Sequence, residues 1–415
     1  MKRKTYMRLE SGSKALLIII LVVSIIAGGA VGTLYFVHDN QTAKELATMQ
    51  ESGLVKLVSI SDGCNVNVAV RGAATPKHTF VTISGLNFPD FGVYMDYITT
   101  PLQNENRLVI VDRLGTGFSD DVDAKANRTA SVIVEEYRKA LQKSMVDAPY
   151  ILLAHEIGAA YATLWQNTYP EEIEGIIYID PNPIDKGYAG LKLDDKATLL
   201  SLGCKFGLQR LMYDDLYTPE AVRVPSDYVV AATYFNYHSV YTTGYLSELA
   251  NAEKSIAQTL DVVQNTNIPK MYINSSYAFE TKEEALEYVD YVNAQARSVG
   301  QDKVYHNAEG AAEKLVALSD TMTAKINSYV QALGNCHLVK MPGGPDVYQQ
   351  HHGVLESAII DFVDYLDGNV SSLQSRYVDK ILDEWQKKQE QEALEQQITE
   401  TEASLDEAEN ETTES

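Results

Sequence analysis

Three features of this chain predict an α/β architecture, a mostly parallel central sheet flanked by helices, with one apolar helix ahead of it. Short apolar runs of strand length alternate with helix-patterned stretches at short connections. One strand, Ile151 to Leu153, runs straight into a helix-forming stretch through a turn bordered by small residues. Near the start stands an almost unbroken apolar run, Ala15 to Val37. Strands and helices alternating at this spacing imply parallel pairing, with the crossovers covering both faces of the sheet.

The apolar run holds no charge. At roughly 1.5 Å per residue it is long enough to cross a hydrocarbon layer of about 30 Å. Lys2, Arg3, Lys4, Arg8 and Lys14 precede it, and His38 and Asp39 follow. Basic residues stay on the cytoplasmic side, so residues 1–14 are expected inside, 15–37 in the cell membrane as a signal-anchor helix, and the rest outside. The alternative is a cleaved signal peptide with Ala27-Gly-Gly-Ala30 near the cut, but the run exceeds the usual signal core of about 7–15 residues. Residues 38–52 read as a short polar stalk, with helical character from Ala43 to Gln50.

Beyond the stalk, one domain is expected over 53–370. Leu54 to Val70 alternates apolar and polar residues around Asp62-Gly63, the pattern of a hairpin. His78 to Ile83 is a β-rich run ending in Ser84-Gly85-Leu86-Asn87, Tyr94 to Leu102 a helix, and Arg107 to Asp112 a buried strand leading into the loop Arg113 to Asp120. Thr129 to Ser144 has helical spacing, with Val132, Ile133, Tyr137, Leu141 and Met145 on one side. A helix from Ile157 to Tyr169 stops at Pro170, and Gly175 to Ile179 is another strand.

Residues 182–265 break this rhythm. They are mostly helical in pattern and rich in tyrosine (Tyr188, Tyr213, Tyr217, Tyr228, Tyr234, Tyr237, Tyr241, Tyr245), and read as a cap inserted above the sheet. Lys270 to Asn274 returns to the sheet, and Lys282 to Leu333 forms a second helical insertion (280–335). His337 to Met341 is the last strand and Val354 to Leu366 a closing amphipathic helix. Residues 371–415 form a polar, then acidic tail, with disorder expected after about Gln389.

Formal charge is −23, with the first 37 residues at +4 and Gln386 to Ser415 at −8. A body this acidic repels phosphate backbones, which argues against nucleic-acid binding. Its simplest reading is the solubility of an exported domain. Cys64, Cys204 and Cys336 are widely spaced with no CxxC, so no zinc, other metal or redox cofactor is expected. Outside a membrane one disulfide could form, with the pair undetermined.

The turn after Leu153 reads Ala154-His155-Glu156-Ile157-Gly158. A sharp strand-to-helix turn tolerates only small residues two positions to either side of its tip, because the two backbones nearly touch there. Ala154 and Gly158 meet that rule, and Glu156 stands at the tip. With this segment (Pro149 to Pro181), Phe80-Val-Thr-Ile-Ser-Gly-Leu86 and Leu108 to Asp120, the chain resembles the α/β-hydrolase superfamily over roughly Val55 to Asp367. More narrowly it is similar to the membrane-anchored α/β hydrolases of Gram-positive bacteria.

That resemblance implies an α/β-hydrolase fold with a helical cap and a nucleophile elbow at Glu156, where active members carry serine. It makes the amides of Leu86, after Gly85, and Ile157 the donors to a developing oxyanion. It also puts Pro345, within Pro342-Gly-Gly-Pro-Asp346, where the catalytic histidine usually stands, counting back from Phe362. Glu280 is the acid available after the Lys270 to Asn274 strand, later than usual.

Two functions follow as expectations. The first is a membrane-tethered extracytoplasmic pseudohydrolase that binds a small ligand or a protein partner through its tyrosine-rich cap. An ionised Glu156 would itself occupy the anion site and exclude acyl substrates. The alternative is an active, esterase-like hydrolase using Glu156, His351 or His352, and Glu280. A carboxylate nucleophile one methylene longer than aspartate would displace the attacking oxygen by on the order of 1 Å. Solvent-facing positions before the closing helix are the plainer reading of His351 and His352. His155 is expected to pack structurally, and Asp112 and Asp180 to organise strand ends.

Overall fold

The computed structural model describes residues 11–375 except 62, 87, 124–125, 182–194, 213–222 and 299, together with residues 380 and 387. The expected tail disorder, and Tyr188, Tyr213 and Tyr217 of the cap, lie outside the described residues.

Helix α1 runs from Ser11 to Glu51 without a break. It is long and apolar enough to cross a membrane, with a mean hydropathy of 2.8 in its most apolar window and 0% of that window buried inside the protein. The stalk expected at 38–52 is therefore not a separate segment. No proline or glycine stands between Val37 and Gln50, so the helix continues through the polar residues. Nor is its end free, because Met49 and Glu45 are buried against the rest of the protein.

Strands β1 (Leu57–Ser61) and β2 (Cys64–Gly72) form the predicted antiparallel hairpin. β3 (Thr79–Ile83), β4 (Arg107–Val111), β5 (Tyr150–His155), β6 (Ile173–Ile179), β7 (Thr266–Asn274) and β8 (Gly334–Lys340) complete one eight-stranded sheet in the order β1-β2-β4-β3-β5-β6-β7-β8. β2 joins β4 antiparallel, and every pairing from β4 to β8 is parallel. β5 extends two residues beyond its expected end, as far as His155.

Side chains alternate across this sheet, as a period of two requires. Phe80, Leu108, Ile110, Ile151, Leu153, Ile177 and Ile179 face one side. There they meet α2 (Phe91–Thr99), the cap helix Ser226–Tyr237, and the closing helix His352–Leu366. Val81, Ile83, Val109, Leu152, Ala154, Ile176 and Tyr178 face the other side. Those pack on α3 (Ala130–Lys143), α4 (Gly158–Thr168), the cap helix Ala252–Leu260, and the end of helix Ala308–Leu333. The second helical insertion is two helices, Lys282–Ser298 and Ala308–Leu333, rather than one run.

Helix Thr243–Ala250 of the cap is tied to the body by a buried charge network. Glu248 and Arg113 are both 0% exposed, with 2.9 Å between Arg113 Nε and Glu248 Oε1. Tyr161 donates its hydroxyl to Glu248 at 3.0 Å, and Arg128 stands 3.8 Å away. Removing one partner strands the other charge away from water. Glu248→Ala is therefore expected to cost about 3–5 kcal/mol of unfolding free energy, and the double change Arg113→Met with Glu248→Leu distinctly less. Denaturant unfolding of the detergent-solubilised chain measures both, and equal losses would contradict this assignment.

Candidate functional site

Parallel strands end at one edge of the sheet, so their following loops converge there. Ile83 is in register with Ala154, His155 with Ile179, and Ile179 with Ile273. This brings together Ser84-Gly85-Leu86 after β3, Glu156 after β5, Asp180 after β6 and Ser275 to Tyr277 after β7.

Glu156 sits at φ +49°, in the left-handed region, which costs a non-glycine residue roughly 1–2 kcal/mol. The turn is held by packing. A Cβ on Gly158 would overlap the Ile83 carbonyl, and one on Gly85 would overlap the Glu156 side chain and crowd His155 Nδ1. α4 starts at Gly158, with Ile157 as its N-cap residue. The Leu86 amide donates to Glu156 Oε2 at 2.8 Å. A carboxylate oxygen thus rests on one of the two amides expected to serve an oxyanion.

His155, 0% exposed, stacks on Phe91 with 5.0 Å between ring centroids. Its Nε2 lies 2.6 Å from the Pro345 carbonyl oxygen. A carbonyl only accepts, so Nε2 carries the proton and Nδ1 is the bare nitrogen. Burial pushes the His155 imidazole down to about 4, against the opposing effect of the Pro345 bond. The ring is a neutral bracket joining β5 to the loop after β8.

Asp180, also at positive φ (+41°), accepts from the Ser275 amide at 3.0 Å, the Ser276 amide at 2.7 Å and the Ser276 hydroxyl at 2.6 Å. Burial pushes its carboxyl up to about 6; the serine bonds pull the other way, and the Glu156 charge adds to the rise. Tyr277 is raised by burial first, then by the charges of Asp180 and Glu156. Two carboxylates and a phenol therefore share this edge. The sequence showed Asp180 as a strand-end residue, but nothing in it joined Asp180 to serines 95 and 96 positions later. Asp112, buried and bonded to Asn67 and the Phe118 amide, organises its loop as expected.

The other candidates lie elsewhere. His352 tilts against Tyr97 of α2, centroids 5.5 Å apart. Burial lowers it, and lowers His351 to about 4; both are half-buried rather than fully solvent-facing as expected, and His351 caps the short helix Val347–Gln350. Glu280 is exposed and ion-paired with Lys340, while its amide donates to Glu284 at 2.8 Å. The elbow gathers Gly85, Leu86, Glu156 and Ile157, and leaves Glu280 at the surface. All three cysteines are free thiols. Among the described residues, no group of three or more His, Cys, Asp or Glu is placed to hold a metal.

Sequence reasoning missed a second cluster. Glu45 of α1 takes both Arg210 Nη atoms, at 2.6 and 2.8 Å, and lies 3.0 Å from His238 Nε2. Burial opposes its charge, but the Arg210 and His238 bonds prevail and hold the carboxyl below its usual range. Beside it, a cleft of about 400 Å³ opens between α1 and the cap helix, lined by residues that include Met49, Leu54, Arg71, Asp96 and Tyr228. Arg71 bridges to Asp96 at 3.1 Å, and Tyr228 donates to the same carboxylate at 3.3 Å.

No family model matches the chain. It is 32% identical over 195 residues to the uncharacterized protein YbdG of Bacillus subtilis (strain 168), covering 46% of this chain and 58% of YbdG. The chain thus spans little more than half the length of that relative. Among solved structures it is similar to the haloalkane dehalogenase DatA of Agrobacterium tumefaciens C58, at 13% identity and a TM-score of 0.48, over 75% of this chain and 96% of that one. A putative lipase (lip1) of Acinetobacter baumannii AYE gives 14% identity and a TM-score of 0.46, over 80% and 97%. In its own geometry the chain has the α/β-hydrolase fold: a mostly parallel sheet flanked by helices, with a strand–turn–helix elbow at its centre and helices inserted after β6.

His155 supplies the test of this bracket. Its folded value of about 4 lies below the ordinary 6.5, so the unfolded chain takes up this proton first as the pH falls. The stability it contributes is full above 6.5 and is lost as the pH drops through that window toward 4. His155→Phe is expected to flatten the fall in denaturation midpoint across those values, and an unchanged slope would contradict the assignment.

Proposed function

We propose that the chain is a single-pass membrane protein, N-terminus inside, whose extracytoplasmic α/β-hydrolase-fold domain binds a ligand or partner and does not carry out serine hydrolysis. The observation that carries this reading is the Leu86 amide donating to Glu156 Oε2 at 2.8 Å. A permanent intramolecular carboxylate on that donor competes with the carbonyl oxygen of any acyl substrate, for which the same hydrogen bond would otherwise strengthen in the transition state.

The surroundings support it. His155 is tied to Pro345 through Nε2, and burial lowers its imidazole to about 4, so its bare Nδ1 is only a weak base for a nucleophile at the tip. Asp180, whose carboxyl feels the Glu156 charge, is engaged by three donors from Ser275 and Ser276. The ligand-binding half of the proposal rests on the cleft beside α1, where a cap tyrosine, Tyr228, meets Arg71 and Asp96. Its volume, about 400 Å³, is in the range that holds small molecules.

Purified chain in detergent is expected to give no fluorophosphonate labelling and no turnover of short-chain p-nitrophenyl esters above that of Glu156→Gln. Ester turnover abolished by Glu156→Gln would overturn the reading. For the orientation, alkaline phosphatase fused after Gly53 is expected to be active in a bacterial host and β-galactosidase at the same point inactive. The reverse pattern would place the domain in the cytoplasm.

A further inference from the structure

We propose that helix α5 (Asp195–Lys205) lies in the outer interface of the bilayer, giving the cap a second, in-plane contact with the lipid beside α1. The inference rests on reading α1 as the membrane span.

Leu199, Leu202 and Phe206 are 69%, 54% and 37% exposed. Leu199 and Leu202, three residues apart, share one face of α5, and Phe206 follows in the turn just past its end, while Ala197, Ser201 and Cys204 are buried on the opposite face. A helix packed on its protein by small residues and showing water its large apolar ones is the reverse of the usual surface helix. Lys196 and Lys205 are exposed at its two ends. Long basic side chains at such positions lay their stems along apolar surface and lift the charge to the headgroups.

What commits this face to lipid is its height along α1. Arg210 binds Glu45 and Thr42, and its Nε lies 2.9 Å from His38 Nδ1. Gly207 abuts the His38 side chain. Phe206 meets Tyr35 edge to face, ring centroids 5.9 Å apart. Traced backward from Arg210 to Phe206, the cap descends α1 from Glu45 to Tyr35, ten residues or on the order of 15 Å of helix. That descent ends within the apolar run, where a tyrosine suits the boundary between headgroups and acyl chains. α5 leads off at that level, so its apolar face continues the lipid-facing surface of α1. An amphipathic helix so placed buries its apolar side about 5–10 Å into the interface.

The test uses the full chain reconstituted in phosphatidylcholine vesicles, with or without bromine on the upper acyl chain, and single tryptophan reporters corrected for the parent chain. Leu202→Trp is expected to lose roughly half its added emission to the brominated lipid, since bromine acts at the depth of an in-plane helix. Leu17→Trp, within the span, should be quenched too. Gln142→Trp, exposed near the end of α3 at the sheet edge opposite the cap, should not. Leu202→Trp unquenched beside a quenched Leu17→Trp would overturn the proposal and leave the span standing; a second copy of the chain, or another protein covering the face, would give that result. Leu17→Trp unquenched would overturn the span reading and this proposal with it. Equal quenching at Leu202 and Gln142 would also overturn it, as general adsorption.

Discussion

The hydrogen bond from the Leu86 amide to Glu156 ties the architecture of this protein to its chemistry. Three constraints produce it. The left-handed tip of the elbow aims the Glu156 side chain across the sheet edge, the bare backbone of Gly85 leaves room for it, and the parallel register of β3 with β5 sets the Leu86 amide opposite. A serine at the tip would stop short of that amide. The longer carboxylate reaches the donor and fills its place. The fold thus sets a carboxylate from the elbow's tip onto a backbone amide of the neighbouring strand's loop.

Around that contact, groups able to move protons are turned to structural use. His155 hydrogen-bonds a carbonyl and is too deeply buried to take up charge at neutral pH. Asp180 fastens the loop after β7. Asp90, raised to about 6 by burial, accepts from the Tyr348 hydroxyl. Arg113 reaches further, donating to the Ser84 carbonyl at 2.7 Å while it pairs with Glu248 of the cap. One guanidinium thus touches both the cap and the loop that carries Leu86.

Much of this was legible in the sequence. The strands β3 to β8 announce themselves as short apolar runs, and the elbow as small residues spaced two either side of one tip. The hairpin was written in Asp62-Gly63. Local patterns of this kind carry their own physics, whatever else the chain does. What escaped were contacts between distant segments. Glu45 looked like one more polar residue of a stalk until the structure set Arg210 and His238 against it, 165 and 193 positions away. His351 and His352 looked like solvent-facing residues because they stand just ahead of the closing helix, yet both are half-buried, His352 against Tyr97 of α2. Glu280 was singled out by counting along the chain, and its distance from the elbow is set by the loop after β7, whose course no periodicity encodes.

The central claim is that the Glu156 carboxylate occupies the Leu86 amide in the resting protein. The most direct measurement is the proton chemical shift of that amide, by NMR on the isotope-labelled chain in detergent, compared between the native sequence and Glu156→Ala. A hydrogen bond to an ionised carboxylate deshields the amide proton, so the account predicts a clear downfield position that moves upfield once the side chain is removed. A Leu86 resonance indifferent to Glu156→Ala would mean that the donor is open, and the account would be contradicted.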